Sequence, residues 1–248
     1  MRLIPAASPN FNDRPRPPDM ILLHYTGMAT GEAALARLCD PVAKVSSHYV
    51  VEEDGRVFAL VDEDRRAWHA GVSFWRGERD INGCSIGIEI VNPGHEFGYR
   101  DFPDAQIEAV IALLDDIRAR WTIPDARVLG HSDVAPDRKQ DPGERFPWRR
   151  LALAGHGLWA DVDPGEGQVL KEGDHGEAVM RLQSDLSRLG YEQDATGWFD
   201  AATRVRIAAF QQHWVQSRVD GAADAATSAR LGALSALALD ERAPRPQP

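Results

Sequence analysis

The sequence contains few cysteines and no long apolar run. Cys39 and Cys84 provide no disulfide framework, and neither belongs to a C-x-x-C pair of the kind that binds metal or carries redox chemistry. We expect both to be buried thiols. No stretch approaches the roughly 18 apolar residues that a membrane span requires. The proline-rich segment 1–18 also lacks the apolar region of a secretory signal peptide. These absences predict a cytoplasmic protein, with the periplasm or cell envelope as the alternative.

Lysine is also scarce, and acidic residues outnumber basic ones. The chain has 28 Lys and Arg against 38 Asp and Glu, a formal net charge of -10. Because nucleic-acid binding depends on neutralising phosphates, this balance argues against a nucleic-acid partner. The only lysines are Lys44, Lys139 and Lys171. A lysine inside a motif is therefore informative. The oligomeric state stays open.

The apolar patterns predict an α/β fold with a mixed central sheet flanked by helices. Residues 20–25 form a short apolar run that is typical of a buried strand. In 85–91 the isoleucines alternate with Ser85, Gly87 and Glu89, so that Glu89 projects away from them. Asp54-Gly55 separates two apolar runs and indicates a hairpin. A stripe of apolar residues between 104 and 121 predicts a helix.

Residues 131–143 bring potential chemistry together. This stretch holds His131, Lys139 and Asp141 around a turn at Pro136, after a β-like run at 126–130. Imidazole and carboxylate are both good zinc ligands, and a catalytic site needs one more protein ligand. His24, at the end of the first apolar run, is the third candidate. The spacing matches no general zinc pattern, so packed or surface histidines remain the alternative, and Asp133 competes with Asp141 as a ligand.

Glu89 and Lys139 each allow two interpretations. On the glycine-lined side of a strand, Glu89 is either a general base or a solvated strand residue, and spacing alone does not decide. Lys139 lies two residues from Asp141. It is either a surface lysine or a cation that stabilises a developing oxyanion.

The composition changes after Trp148. Residues 155–167 are rich in glycine and acidic residues without an apolar period, which predicts a linker. Beyond it, Asp-Ala-Ala-Thr occurs at 200–203 and again at 224–227, and an amphipathic pattern at 176–190 ends in glycine. Three short helices are expected. The predicted organisation is a catalytic domain at 1–154, a linker at 155–168, a helical domain at 169–237 and a disordered tail at 238–248.

Five segments in series resemble the zinc-dependent N-acetylmuramoyl-L-alanine amidases of the AmpD/AmiD type, which share their fold with peptidoglycan recognition proteins. The segments are 21–26, 46–50, 66–71, 85–90 and 131–143. They cover roughly the first 150 residues. The resemblance implies Zn²⁺ bound by His24, His131 and Asp141, although some relatives have a cysteine at the last position. It also implies that Glu89 and Lys139 are catalytic.

The same resemblance implies substrate-binding residues. Tyr49 is similar to a tyrosine that lines the family's groove, and Trp68 with His69 precedes Gly71 in a segment that looks like a substrate-facing loop. Trp75 and Asn82 fall in the polar loop 71–83, which could line the same groove. For each of these residues, plain packing is the alternative.

The helical part resembles the common peptidoglycan-binding domain of bacterial wall hydrolases. The resemblance rests on Gly173-Asp174-x-Gly176, Leu182-Gln183, Leu189-Gly190-Tyr191, Gly197-x-Phe199-Asp200 and Phe210-Gln211. A helical docking or dimerisation module is the alternative. If this part only tethers the enzyme to polymer, removing it near Gly167 should leave hydrolysis of small muropeptides within a few-fold.

Together these features predict an enzyme that hydrolyses the amide between N-acetylmuramic or anhydro-N-acetylmuramic acid and L-alanine, in cell-wall turnover or recycling. A non-catalytic peptidoglycan-binding sensor is the alternative, and a metal-dependent peptidase is a third possibility. The presence of three ligand candidates with Glu89 and Lys139 favours the enzyme.

Overall fold

The computed structural model describes residues 2–240 and has a mixed α/β architecture. Its sheet has six strands in the order β1-β5-β4-β7-β3-β8, and β2 pairs with β6 in a separate ribbon. The strands are β1 Leu3–Pro5, β2 Phe11–Asp13, β3 Met20–Tyr25, β4 Tyr49–Val51, β5 Val57–Ala59, β6 Arg65–Ala67, β7 Ser85–Ile90 and β8 Val128–Gly130. The predicted fold class is confirmed.

Helices flank the sheet and then form the C-terminal part. They are α1 Gly31–Cys39, α2 Ile81–Cys84, α3 Gly94–Phe97, α4 Asp104–Arg120, α5 His131–Val134, α6 Trp148–Leu153, α7 Glu177–Leu189, α8 Ala201–Trp214 and α9 Ala225–Asp240. Within 2–240, none of them is both long enough and apolar enough to cross a membrane.

The central strands β3, β7 and β8 run parallel, so their carboxyl ends meet at one edge of the sheet. His24 on β3 lies opposite Glu89 on β7, and Leu23 lies opposite Gly130, the residue before His131. This register brings three separate stretches of sequence to one place. The predicted alternation along β7 is observed. Ile86, Ile88 and Ile90 enter the core beneath α4, while Glu89 projects to the other face.

Local structure differs from the predictions at several points. Residues 125–127 form a 3-10 turn, so the strand before His131 begins only at Val128. The segment 131–134, for which no helix was predicted, is a helical turn. The hairpin strands and the strand at 85–91 are shorter than predicted. Cys84 is buried but Cys39 is partly exposed, so only one thiol meets the expectation.

Two buried glutamines make equivalent hydrogen bonds in the two halves of the internal repeat of the helical part. The Gln183 side chain accepts from the Gly197 amide at 2.8 Å and donates to the Trp198 carbonyl at 2.9 Å. Gln211 makes the same pair of bonds to Gly221 and Ala222, both at 2.8 Å. In each half, the aspartate of Asp-Ala-Ala-Thr accepts from the threonine amide at 2.8 Å and so caps its helix.

The two parts of the chain share one hydrophobic cluster, which argues against a separable tether. On β3, Ile21 and Leu23 face α4, while Met20 and Leu22 face the other way into a cluster that also contains the buried residues of α7, α8 and α9. Trp75 is fully buried against Tyr191 of the helical part. The helical part therefore covers one face of the sheet at β3 and β8.

The predicted linker is docked along part of its length. Leu158, Trp159 and Ala160 pack against the shared core, and the Leu158 carbonyl accepts from Nε1 of Trp214 at 3.0 Å. Glycine and acidic residues fill the exposed remainder, which is why the composition suggested a free linker. The helix α9 continues to Asp240, so the predicted tail does not begin at 238. Residues 241–248 lie outside the described residues.

Candidate metal centre

Three buried side chains form a triangle of potential ligands at the carboxyl edge of the sheet. Nδ1 of His24 lies 2.9 Å from Nδ1 of His131 and 2.9 Å from Oδ2 of Asp141. Nδ1 of His131 lies 3.0 Å from the same oxygen. Asp133, the competing candidate, is not part of this triangle. Among the described residues, His24, His131 and Asp141 form the one group suited to holding a metal ion.

The triangle fits a small cation in both chemistry and size. Burial and the adjacent His131 lower the pKa of His24 to about 4, which leaves a neutral imidazole. Burial alone would raise the pKa of Asp141, but His131 and His24 together bring it below its usual range. These are the protonation states that a metal requires. Ligand atoms around a tetrahedral Zn²⁺, with bonds of about 2.0–2.1 Å, are about 3.3 Å apart, close to the separations here.

Each imidazole is oriented through its second nitrogen. Nε2 of His131 donates to the Ala70 carbonyl at 2.9 Å, and Nε2 of His24 lies 3.1 Å from Nδ1 of His69. Such contacts fix the ring so that the other nitrogen faces the metal. The ring of His69 occupies the space above Gly87, where an added Cβ would come within 2.5 Å of it. The glycine on β7 thus makes room for His69.

Glu89 lines the same cavity as the triangle, and one of its carboxylate oxygens, Oε2, is buried and has no hydrogen-bond partner within residues 2–240. Burial and then the charge of Asp141 raise the pKa of Glu89 well above its ordinary value, while the Lys139 ammonium acts in the opposite sense. A buried carboxyl group with a raised pKa is suited to accept and release a proton near neutral pH.

Two cations of the loop after α5 reach the same cavity. Lys139 is half-buried and makes no ion pair within residues 2–240. Arg138 donates to the carbonyls of Ala70 and Val72, and so joins this loop to the segment that orients His131. Arg138 was not among the residues predicted from the sequence, although a second cation beside Lys139 was a usable signal in a lysine-poor chain.

The triangle opens into a cavity of about 1000 Å³. One wall is formed by α1 and the other by the segment around α3, with Trp68 and His69 at one side. A space of this size accommodates an extended ligand several residues long. Of the ten site residues predicted from the sequence, seven line the cavity: His24, Trp68, His69, Glu89, His131, Lys139 and Asp141.

The structure does not bring the other three predicted residues to the cavity. Tyr49 packs in the core beneath the sheet, and its hydroxyl donates to Glu63 at 2.7 Å. Trp75 is sealed between the two parts of the chain. Asn82 accepts from the amides of His69 and Ala70 at 3.0 and 2.8 Å, so it supports the site from behind. Loop composition could not distinguish these packed positions from a groove.

Fold and site together define a class. A family model described as N-acetylmuramoyl-L-alanine amidase matches residues 14–144. A second one, described as putative peptidoglycan binding domain, matches residues 175–231. The chain belongs to the N-acetylmuramoyl-L-alanine amidase family and is an enzyme of that class, which hydrolyses the amide between the muramic acid and L-alanine.

Individual relatives cover most of the chain. It is 38% identical over 228 residues to the N-acetylmuramoyl-L-alanine amidase AmiD of Escherichia coli, which covers 87% of this chain and 81% of that protein. The 1,6-anhydro-N-acetylmuramyl-L-alanine amidase AmpD of the same organism is 35% identical over 167 residues, 59% of this chain and 88% of AmpD.

Solved structures extend the likeness to the whole described architecture. A complex of E. coli AmiD with anhydro-N-acetylmuramic acid-L-Ala-D-gamma-Glu-L-Lys has a TM-score of 0.77 at 36% identity, over 88% of this chain and 89% of that one. AmpDh3 of Pseudomonas aeruginosa, in complex with an anhydromuramic pentapeptide, has a TM-score of 0.73 at 31% identity, over 92% and 93%. Both matches include the helical part.

Proposed function

We propose that this chain is a zinc amidase that acts on anhydro-N-acetylmuramyl peptides and on the corresponding bond of peptidoglycan. The observation that carries the proposal is the juxtaposition, in one cavity, of the His24, His131 and Asp141 triangle with Glu89 and Lys139. The ligands of the two similar solved complexes support the substrate class.

The triangle would hold one Zn²⁺ through two neutral imidazoles and a carboxylate. When bound, Zn²⁺ supplies Lewis acidity toward a carbonyl oxygen and lowers the pKa of water. The cavity side of the triangle is open, as a catalytic rather than a structural site requires.

Two residues of the chain would transfer the proton and stabilise the negative charge that develops during the reaction. Glu89 accepts a proton from the water that attacks the lactyl carbonyl carbon, which forms a C–O bond and a tetrahedral centre. The ammonium of Lys139 stabilises the negative oxygen of that centre. The protonated Glu89 then delivers its proton to the alanine nitrogen as the C–N bond breaks. The products are the muramic acid carboxylate and a peptide with a free L-alanine amine.

Product analysis tests the proposal directly. Anhydro-muropeptides and sacculi are incubated with the enzyme, with a chelator, and with the chelator followed by Zn²⁺, and the products are identified by mass. We expect the lactyl–alanine bond to be cut only when metal is present. Cleavage within the stem peptide would instead indicate a peptidase. Cell fractionation decides between the cytoplasm and the envelope.

Replacing Asp141 tests the ligand set. Asp141→Ala removes the only carboxylate of the triangle, so we expect its zinc content to fall from about one per chain to a small fraction, with loss of activity. Asp137→Ala, in the same loop but exposed, is the matched control and should keep its zinc. Elemental analysis of both proteins decides. Stoichiometric zinc in Asp141→Ala would remove this residue from the ligand set.

Replacing Lys139 tests its role in charge stabilisation. Lys139→Met keeps much of the side-chain volume but removes the charge, and we expect kcat to fall about 10²-fold, since an oxyanion partner is worth about that much. Zinc content should not change. Lys171→Met, at an exposed lysine of the helical part, is the control. A kcat within twofold of wild type in Lys139→Met would exclude the residue from the mechanism.

An exposed aromatic pair supports polymer binding by the helical part. The side chain of Trp198 is 54% exposed and stacks on the exposed His175 ring with a centroid distance of 5.4 Å. Such a flat apolar surface can cover the C–H face of a sugar ring. We expect Trp198→Ala to lower binding to sacculi several-fold in a pull-down assay, while hydrolysis of soluble anhydro-muropeptides stays the same. Leu237→Ala, another exposed apolar residue of this part, is the control.

A further inference from the structure

A buried carboxylate joins the helical part to the turn that carries His131. Asp133 lies in α5, and its side chain is completely buried. Its Oδ2 accepts from Nδ1 of His213 at 2.7 Å, and its Oδ1 accepts from the hydroxyl of Tyr191 at 3.1 Å. Tyr191 follows α7 and His213 lies near the end of α8, so both donors come from the helical part.

The two donors are themselves held firmly. The ring of His213 is sandwiched between Trp148 and Trp214, with centroid distances of 3.5 and 3.6 Å. The ring of Tyr191 packs edge-on against Trp75 at 5.0 Å. Because both rings are fixed by packing, their polar atoms meet the carboxylate in one geometry.

Asp133 transmits this geometry to the ligands through the backbone. Its Oδ2 also accepts from the amide of Gly130 at 2.8 Å, and Gly130 immediately precedes His131. The amide of Ser132, the residue after His131, donates to the carbonyl of Asp141 at 2.9 Å. The carboxylate therefore fixes the entry to the turn at which the segments of two ligands are joined.

We propose that Tyr191 and His213 are positioning residues of the metal centre, which act through Asp133 to hold the His131 turn in place. The helical part is then a structural component of the active site, in addition to any role in binding polymer. This inference rests on the metal site proposed above. This function of the helical part is not implied by its similarity to a peptidoglycan-binding domain.

The test uses single substitutions in the full chain. His213→Phe keeps an aromatic ring between the two tryptophans but removes the donor, and Tyr191→Phe removes only the hydroxyl. Tyr49→Phe is the matched control, because it deletes a phenol-to-carboxylate hydrogen bond at Glu63, outside the cavity. His213→Asn, in contrast to His213→Phe, provides an amide N–H donor in place of the imidazole N–H.

Zinc affinity is measured by competition with a chromogenic chelator, and the geometry of the site by the visible absorption of the Co²⁺-substituted protein. Loss of a contact behind a ligand lowers metal affinity about 10–100-fold. We expect a decrease of about tenfold in His213→Phe and a smaller one in Tyr191→Phe, each with an altered Co²⁺ spectrum. His213→Asn should recover most of the affinity, and Tyr49→Phe should match wild type.

Three outcomes would overturn the inference. Wild-type zinc affinity and Co²⁺ spectra in both Tyr191→Phe and His213→Phe would show that the contacts only stabilise the fold. If His213→Phe does not fold, unchanged zinc binding in Tyr191→Phe has the same meaning. A wild-type chain that binds no zinc would overturn the proposed metal centre itself, and this inference with it.

Discussion

Glu89→Gln is expected to lower kcat by about 10²–10⁴-fold, the contribution of a positioned general base, while zinc content stays at about one per chain. Glutamine has the same shape but cannot accept the proton of the attacking water. Because the buried Oε2 of Glu89 has no hydrogen-bond partner within 2–240, the substitution breaks no hydrogen bond of that atom. Without metal, the variant should therefore melt at the same temperature as the metal-free wild-type protein or at a higher one.

Glu63→Gln is the matched control for this change. Glu63 is also largely buried, but its carboxylate accepts from Tyr49, Arg120 and Trp121. The control should lose thermal stability and keep its kcat, which is the opposite pattern. Turnover near wild type in Glu89→Gln would remove Glu89 from the chemistry.

The pH profile gives a second readout for Glu89. Burial and the nearby Asp141 raise the pKa of Glu89, whereas Lys139 and a bound Zn²⁺ act in the opposite direction. As a base Glu89 must be ionised, so kcat is lost as the pH falls through the pKa of this group. The residual activity of Glu89→Gln should lack that acid limb.

Truncation after Gly167 is expected to abolish folding and activity on substrates of every size. It uncovers Met20 and Leu22 on β3 and the ring of Trp75, all fully buried in the intact chain. Leaving each such side chain exposed forgoes roughly 1.5–3 kcal/mol, and a domain of this size has only roughly 5–15 kcal/mol in total. Circular dichroism, zinc content and anhydro-muropeptide hydrolysis of the truncated protein test this expectation.

Co-expression of residues 1–167 with residues 168–248 is the control for the truncation. If the shared core is the cause, the two pieces should associate and recover zinc binding and hydrolysis. A soluble truncated chain with wild-type melting temperature and activity within a few-fold on small muropeptides would instead support the separable tether that the sequence suggested.

The main strands of the sheet were accessible from the sequence because their signals are local. Apolar runs and alternation predicted β3 and β7, but not their parallel pairing, which places His24 opposite Glu89. Choosing His24, His131 and Asp141 among many candidates required the resemblance to a family, since no spacing rule distinguishes Asp141 from Asp133. The geometry now does, because Asp133 is bonded to Tyr191 and His213.

The packing of the helical part against the sheet could not be predicted from local sequence patterns. An apolar pattern indicates that Leu22 or Trp75 is buried but not which segment buries it. Residues 155–167 have the composition of a solvated linker, although Leu158 and Trp159 supply enough apolar surface to dock. Tyr49 was assigned to a groove by resemblance and Asn82 by its place in a polar loop. Their side chains instead point to Glu63 and to the backbone at His69.

The shared core has a consequence for how the protein is made. Ribosomes add about 5–20 residues per second, so roughly 10–40 s separate the synthesis of Leu22 from that of Trp214, which lies in the same cluster. During this interval one apolar face of the nascent sheet is exposed to solvent, because the helices that cover it are synthesised later. We therefore expect folding in the cell to depend on chaperones that hold the growing chain, and the metal centre to be completed only after α8 has left the ribosome.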